Sequence, residues 1–139
     1  MRARKIEGIE PAAALRPNAS LILRTRLAEM RAIAEHALEA EAAAAQHDMR
    51  IAAKRLRYAL EIFGPCLGED ADAARRAAKK LQTVLGDLHD CDLTLPKVDG
   101  IPSLRAALNE RRARLFAHFV ELWQSEASTS AWVSLEHSM

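Results

Sequence analysis

The run His47-Asp48-Met49-Arg50-Ile51-Ala52-Ala53-Lys54-Arg55-Leu56-Arg57 contains neither Gly nor Pro and is built from residues that favour helix. At about 100° per residue, His47, Arg50, Lys54 and Arg57 share one sector roughly 80° wide. Met49, Ala52, Ala53, Leu56, Leu60 and Phe63 fall on the opposite side. A helix divided in this way has to bury its apolar face against other elements. What stays outside is a row of cations headed by a histidine. The remainder of the chain is read for what covers the first face and what uses the second.

The pattern on either side predicts more helix. Pro17 closes an arm, residues 1–17, that has no sustained period and in which Ile6, Ile9 and Leu15 can dock on a body. Asn18 or Ser20 can cap a first helix. Its stripe of Leu23, Leu27, Met30, Ala34 and Ala37 steps by four and three residues, and the helix is expected to run to about Ala44. Gly64 and Pro65 end the second helix after Phe63. Asp70 can cap a third, whose apolar face is Ala73, Ala77, Leu81, Val84, Leu85 and Leu88, with Arg76, Lys79, Lys80, Thr83 and Asp87 outside. Ser103 can cap a fourth. Leu104, Leu108, Leu115, Phe119 and Leu122 form its stripe, and Arg111 interrupts it. The expected architecture is all-α, an antiparallel four-helix bundle over residues 18–126. A tail, 127–139, follows, in which Ala131, Trp132, Val133 and Leu135 can form a short docking turn.

Composition narrows the function classes. The chain has 139 residues and a net charge of only +1, so any affinity for polyanions has to come from segregated charge and not from the total. Cys66 and Cys91 have no metal or disulfide spacing, which makes a reducing, cytoplasmic setting the default. No leader or membrane span is expected. No nucleophile–base pair or Gly-rich phosphate loop suggests an enzyme. Sequence-specific nucleic-acid reading lacks both a helix-turn-helix pattern and aromatics among the cations.

The cation row has two readings. A row of like charges gains nothing from itself and suits an anion of repeating charge laid along it, with Arg offering paired donors and Lys a point charge to phosphate oxygens. His47 can add a further donor. Otherwise it is a solvated helix face balanced by acids such as Glu29, Glu35 or Glu39 on a neighbour. Arg76, Lys79 and Lys80 pose the same choice. Arg111 can snorkel or pair with Asp87 or Asp90, or it can point into a groove where basic rows meet. Arg112 and Arg114 are read as surface residues. His89, Asp90, Cys91 and Asp92 invite a metal reading, but consecutive helical residues point in different directions. Asp90 and Asp92 can equally pair with cations, with Cys91 a small core residue.

Two blocks together carry a family resemblance. His47-Asp48-x-Arg50-Ile51-x-x-Lys54-Arg55-Leu56-Arg57-Tyr58 closely resembles the signature of the CHAD domain, the conserved-histidine alpha-helical domain. Leu81-Gln82-x-x-Leu85-Gly86-Asp87-Leu88-His89-Asp90-x-Asp92 resembles the segment on the family's following helix. The resemblance spans about residues 20–124. It implies a helical bundle that binds inorganic polyphosphate through basic side chains, often at polyphosphate granules; from the residues themselves no cofactor and no metal is expected. The implied contacts are His47, Arg50, Lys54 and Arg57; Arg55 ranks lower because its angle turns it aside. Arg24, Arg31, Arg76, Lys80 and Arg111 are less securely aligned, and Asp87 and Asp90 are implied as acids that orient arginines. Full members have two such halves and eight helices. With one signature this chain resembles one half, so a homodimer that completes the groove is an expected partner arrangement. Two other classes remain open: a metal chelator using His47, His89, Asp90 and Asp92, and a structural bundle docking an acidic protein.

Overall fold

A computed structural model describes all 139 residues. It contains five α-helices and no strand: α1 (Leu15–Ala37), α2 (Ala43–Phe63), α3 (Glu69–Thr94), α4 (Pro102–Gln124) and α5 (Glu126–Ser138). Short 3-10 turns at Gly64–Cys66 and Leu95–Val98 lead out of α2 and α3. No helix is long and apolar enough to cross a membrane.

The stripes of α1, α2 and α3 are the core. Leu23, Leu27, Met30, Ala34 and Ala37 are buried, as are Met49, Ala52, Ala53, Leu56 and Leu60. From α3 come Ala77, Leu81, Val84, Leu85 and Leu88, with Cys91 buried beside them, while Ala73 is half-buried. Alanines at Ala52, Ala53, Ala74 and Ala78, all at 0 % exposure, let the helices approach closely. Removing a large side chain such as Leu81 from so tight a centre costs about 2–5 kcal/mol.

The helix ends depart from expectation. α1 stops at Ala37 and not near Ala44, and the Gln46 amide explains why. It is buried and donates to the carbonyls of Ala37 (3.3 Å), Glu39 (2.8 Å) and Ala40 (3.3 Å), so the last carbonyl of α1 and two in the turn after it have a partner. An alanine run fits helix or turn equally well, and this tertiary contact decides between them. Asn18 is not a cap: its side chain clasps the arm, donating to the Glu10 carbonyl (2.7 Å) and accepting from the Glu10 N–H (3.0 Å). Ser20 is buried inside α1. Asp70 and Ser103 also lie within helices. α3 is entered through Gly68 at φ +76°, a left-handed conformation suited to glycine. Glu69, Asp70 and Asp72 then sit in its first turn, where the helix dipole favours acids.

The larger departures are α4 and α5. The tail is a full helix. Ser125 caps it, accepting from the Ser128 N–H at 3.2 Å. Ala131, Trp132 and Leu135 are buried in the same core as α1–α3, and Val133 faces outward. α4 packs along α3. Phe119 is its one buried residue, with Leu115, Phe116, Val120, Leu122 and Trp123 partly covered. Leu104 is 48 % exposed. The face α4 turns inward is thus centred roughly 50° from the expected stripe, sharing Leu115, Phe119 and Leu122 with it. Four antiparallel helices of similar standing do not describe this chain. α1, α2 and α3 are closed by a short α5, and α4 lies against α3.

Candidate functional site

The row predicted on α2 exists, and it lies along α3. His47 stacks on His89, with ring centroids 4.0 Å apart and planes inclined by 23°. One turn later the Arg50 side chain crosses α3 at Gly86, where a β-carbon would stand 3.4 Å from Arg50 Nε. The glycine of the second sequence block and an arginine of the first thus lie against each other. Lys54 and Arg57 follow, with Lys54 Nζ 5.7 Å and the Arg57 guanidinium 4.7 Å from the centre of the exposed Tyr58 ring.

Acids are scarce along this seam. Arg50 and Lys54 have no ion pair. Arg57 Nε lies 3.3 Å from Glu61 Oε1, without the alignment of a hydrogen bond. His47 Nδ1, Arg50 Nε, Arg57 Nε and Gln82 Oε1 are buried without a partner. The terminal nitrogens of Arg50 and the other ring nitrogen of His47 are neither bonded nor enclosed. Burial holds the His47 imidazole below its ordinary value of 6.5, helped by His89 and Arg50 and opposed by Asp48; the Met1 amine adds slightly. A half-buried histidine beside an arginine stays neutral more readily.

Other basic residues of the sequence reading are placed elsewhere. Arg55 is not part of the row. It faces α1, where Glu29, 1 % exposed, accepts from Arg55 (3.2 Å), Arg26 (3.0 Å) and the Arg4 backbone N–H (3.1 Å). Arg24 and Arg31 do share a side, but it is a hollow between α1 and α5 with Leu27, Glu136 and Met139, and Arg31 is paired with Glu136. Arg76, Lys79 and Lys80 line a cleft of about 560 Å³ between α3 and α4, with Thr83, Asp87 and His118 and an apolar wall of Val84, Leu115 and Leu122. Arg76 also pairs with Asp72 at 2.9 Å, and this carboxyl is held below its usual range by a hydrogen bond from Arg75 and by the nearby guanidinium charges.

Arg111 is exposed and does not line that cleft. Its neighbour Arg112, read from sequence as a surface residue, is the anchored one. It pairs with Asp92 (2.5 Å) and donates to Gln46 Oε1 and the Ala40 carbonyl (2.8 Å each). Helix rotation accounts for the exchange, and the polar Gln46 at the border between the apolar face and the cation row was the available signal. Neither Asp87 nor Asp90 pairs with an arginine: Asp87 borders the cleft and Asp90 is exposed. No three His, Cys, Asp or Glu side chains converge as a metal site would need. His47 and His89 face each other ring to ring, and Asp92 is engaged by Arg112.

These features define an all-helical protein in which two packed helices, α2 and α3, carry a cation row where Arg50 and Lys54 have no ion pair and Arg57 lies beside Glu61. A family model described as the CHAD domain matches residues 3–98, well over half of the chain, and the chain belongs to that family. The match takes in the arm and α1–α3, the unit that carries both the core and the seam, and ends before α4. No curated protein and no solved structure matches the chain. The family is linked to polyphosphate binding.

Proposed function

We propose that this protein binds inorganic polyphosphate, laid along His47, Arg50, Lys54 and Arg57, and that it acts by binding and not by catalysis. One observation carries the reading: Arg50 and Lys54 sit side by side on α2 without an acid, although the same fold supplies acids to Arg26, Arg31, Arg55, Arg75, Arg76 and Arg112. Leaving cations unneutralised disfavours the empty protein and favours an occupied one. A phosphate chain has the repeating charge to meet such a row, and guanidinium groups bind it in paired fashion. Arg76, Lys79 and Lys80 extend the positive surface on the outer side of α3. Arg55, Arg24 and Arg31 are left out of the binding set because of where their side chains go. Arg111 stays an exposed candidate at the rim.

Family membership supports the ligand class. A second copy of the chain would supply the second wall that a groove needs, and the partly bare α4 is the side on which it would seat. Cytoplasmic polyphosphate granules are the setting that this reading implies. The test is a titration of long-chain polyphosphate against orthophosphate and duplex DNA of matched charge, with molar mass recorded in the same samples. Affinity is expected to grow with chain length and to fall steeply with salt, as for other polyanions that release counterions. Equal weak binding of all three ligands would reject the reading. A mass that stays monomeric when polyphosphate saturates the protein would reject the second wall alone.

A further inference from the structure

Resting on that reading, we propose that His89 is part of the binding site, as its proton-carrying ligand for a phosphoryl group, with His47 its neutral stacking partner. The two residues come from different sequence blocks and meet ring to ring at 4.0 Å with planes inclined by 23°. Their environments differ. His47 turns Nδ1 into the seam, where it is buried and has no partner. Adding a proton there would create a buried donor with nothing to accept it. The tautomer with hydrogen on Nε2 avoids this and aims a donor outward. Both nitrogens of His89 are free of protein partners and not enclosed, so His89 can take up a proton without burying an unpaired donor. Two imidazolium rings in contact would repel. A neutral ring on a charged one does not, so the pair as built accommodates one proton. The lowered proton affinity of His47 agrees with this division.

The charges around the pair fit the assignment. On α2 they are Asp48 and Arg50, and on the arm the Met1 amine, 3.8 Å from Asp48. On α3 the exposed Asp90 flanks His89. On α4 Arg112 is neutralised by Asp92. No carboxylate bonds to either ring, so neither ring is already committed to an acid. A phosphoryl group at the head of the row would accept from Nε2–H of His47, from His89 and from the terminal nitrogens of Arg50. Its negative charge would draw a proton onto His89, so binding and protonation are linked.

The experiment is calorimetric titration of polyphosphate from pH 6 to pH 8, in pairs of buffers with different protonation enthalpies. Wild type, His89→Gln, His118→Gln and Arg50→Ala are compared, and histidine ring resonances are followed by NMR. Wild type should gain affinity by roughly tenfold or less per pH unit as pH falls, the limit for one linked proton, with net proton uptake near neutrality. His89→Gln should flatten the slope and remove the uptake. Arg50→Ala should weaken binding and keep the slope. The His89 ring signals should move toward their protonated positions when polyphosphate is added at pH 7.5, a readout that stands even if His89→Gln folds poorly. A slope that survives His89→Gln, or that His118→Gln removes, overturns the assignment while polyphosphate binding stands. No binding at any pH overturns the polyphosphate reading and this inference with it.

Discussion

Helix α2 has arginines on both flanks, and the two flanks are treated in opposite ways. Toward α1, Arg55 meets a carboxylate buried to 1 % exposure, and Glu29 also holds Arg26 and the Arg4 N–H. Toward α3, Arg50 meets a glycine, Lys54 has no ion pair, and three nitrogens of the row are buried without partners. Residue type is the same on both sides. What differs is whether the opposing helix supplies an acid. The first seam is a fastening for the arm and α1. The second leaves Arg50 and Lys54 without an acid, the side on which the proposed ligand would lie.

The largest effect is expected at Glu29. Glu29→Ala should destabilise the protein by about 3 kcal/mol, since breaking a buried ion pair leaves charge uncompensated; the partial exposure of Arg26 and Arg55 moderates the loss. Chemical denaturation reads the effect. Binding of polyphosphate per folded molecule should be unchanged, because Glu29 belongs to the other seam. The complementary variant is Arg50→Ala with Lys54→Ala. It should weaken polyphosphate binding by roughly 100-fold or more, as loss of two charge-assisted contacts implies. Stability should hold or rise by a few tenths of a kcal/mol as like charges are relieved. If this pair unfolds the protein and Glu29→Ala does not, the two seams have been assigned the wrong way round.

Gly86 sharpens the same contrast with a smaller effect. Placing Ala in a helix interior instead of Gly favours folding by about 1 kcal/mol, and the new methyl would meet the flexible Arg50 side chain at 3.4 Å. Gly86→Ala should therefore be at least as stable as wild type and bind polyphosphate a few-fold more weakly. Thermal melts and the same titration check both halves. A drop in stability would mean that Gly86 serves backbone packing and not the arginine.

The α2–α3 seam was legible in the sequence because both of its signals are local. Helical period fixed which residues of α2 share a face, and the stripes of α1, α2 and α3 are buried almost as spaced. α4 was not legible in the same way. Its apolar residues spread over a broad sector, so period alone could not choose between the line through Leu104, Leu108 and Leu115 and the line through Phe116, Phe119 and Trp123. The choice depends on α5, whose Trp132 approaches Trp123 with ring centroids 6.3 Å apart. A serine-rich, 13-residue helix gave little warning of itself, since isolated helices of that length are marginal and take their stability from packing. The exchange of Arg112 for Arg111 follows from the same rotation. The stack of His47 on His89 brings together residues from two helices, and only their antiparallel register places them side by side.

The smallest effect expected along the seam is in the pH dependence of the empty protein. The folded pKa of His47 lies below its ordinary value of 6.5. Between the two values the unfolded chain binds more protons than the folded one, so stability rises with pH there. The contribution is complete above the unfolded value and is lost as pH falls below 6.5 through the folded one. Melting temperatures from pH 7.5 down to pH 5 should decline more steeply for wild type than for His47→Gln, which lacks the titrating ring. Saturating polyphosphate should not narrow the gap between the two, because a proton drawn onto His89 disfavours a second one on the stacked His47 ring. Parallel curves for the two proteins without polyphosphate would show that the α2–α3 seam places no burden on this histidine, and the contrast between the seams would then rest on the arginines and the lysine alone.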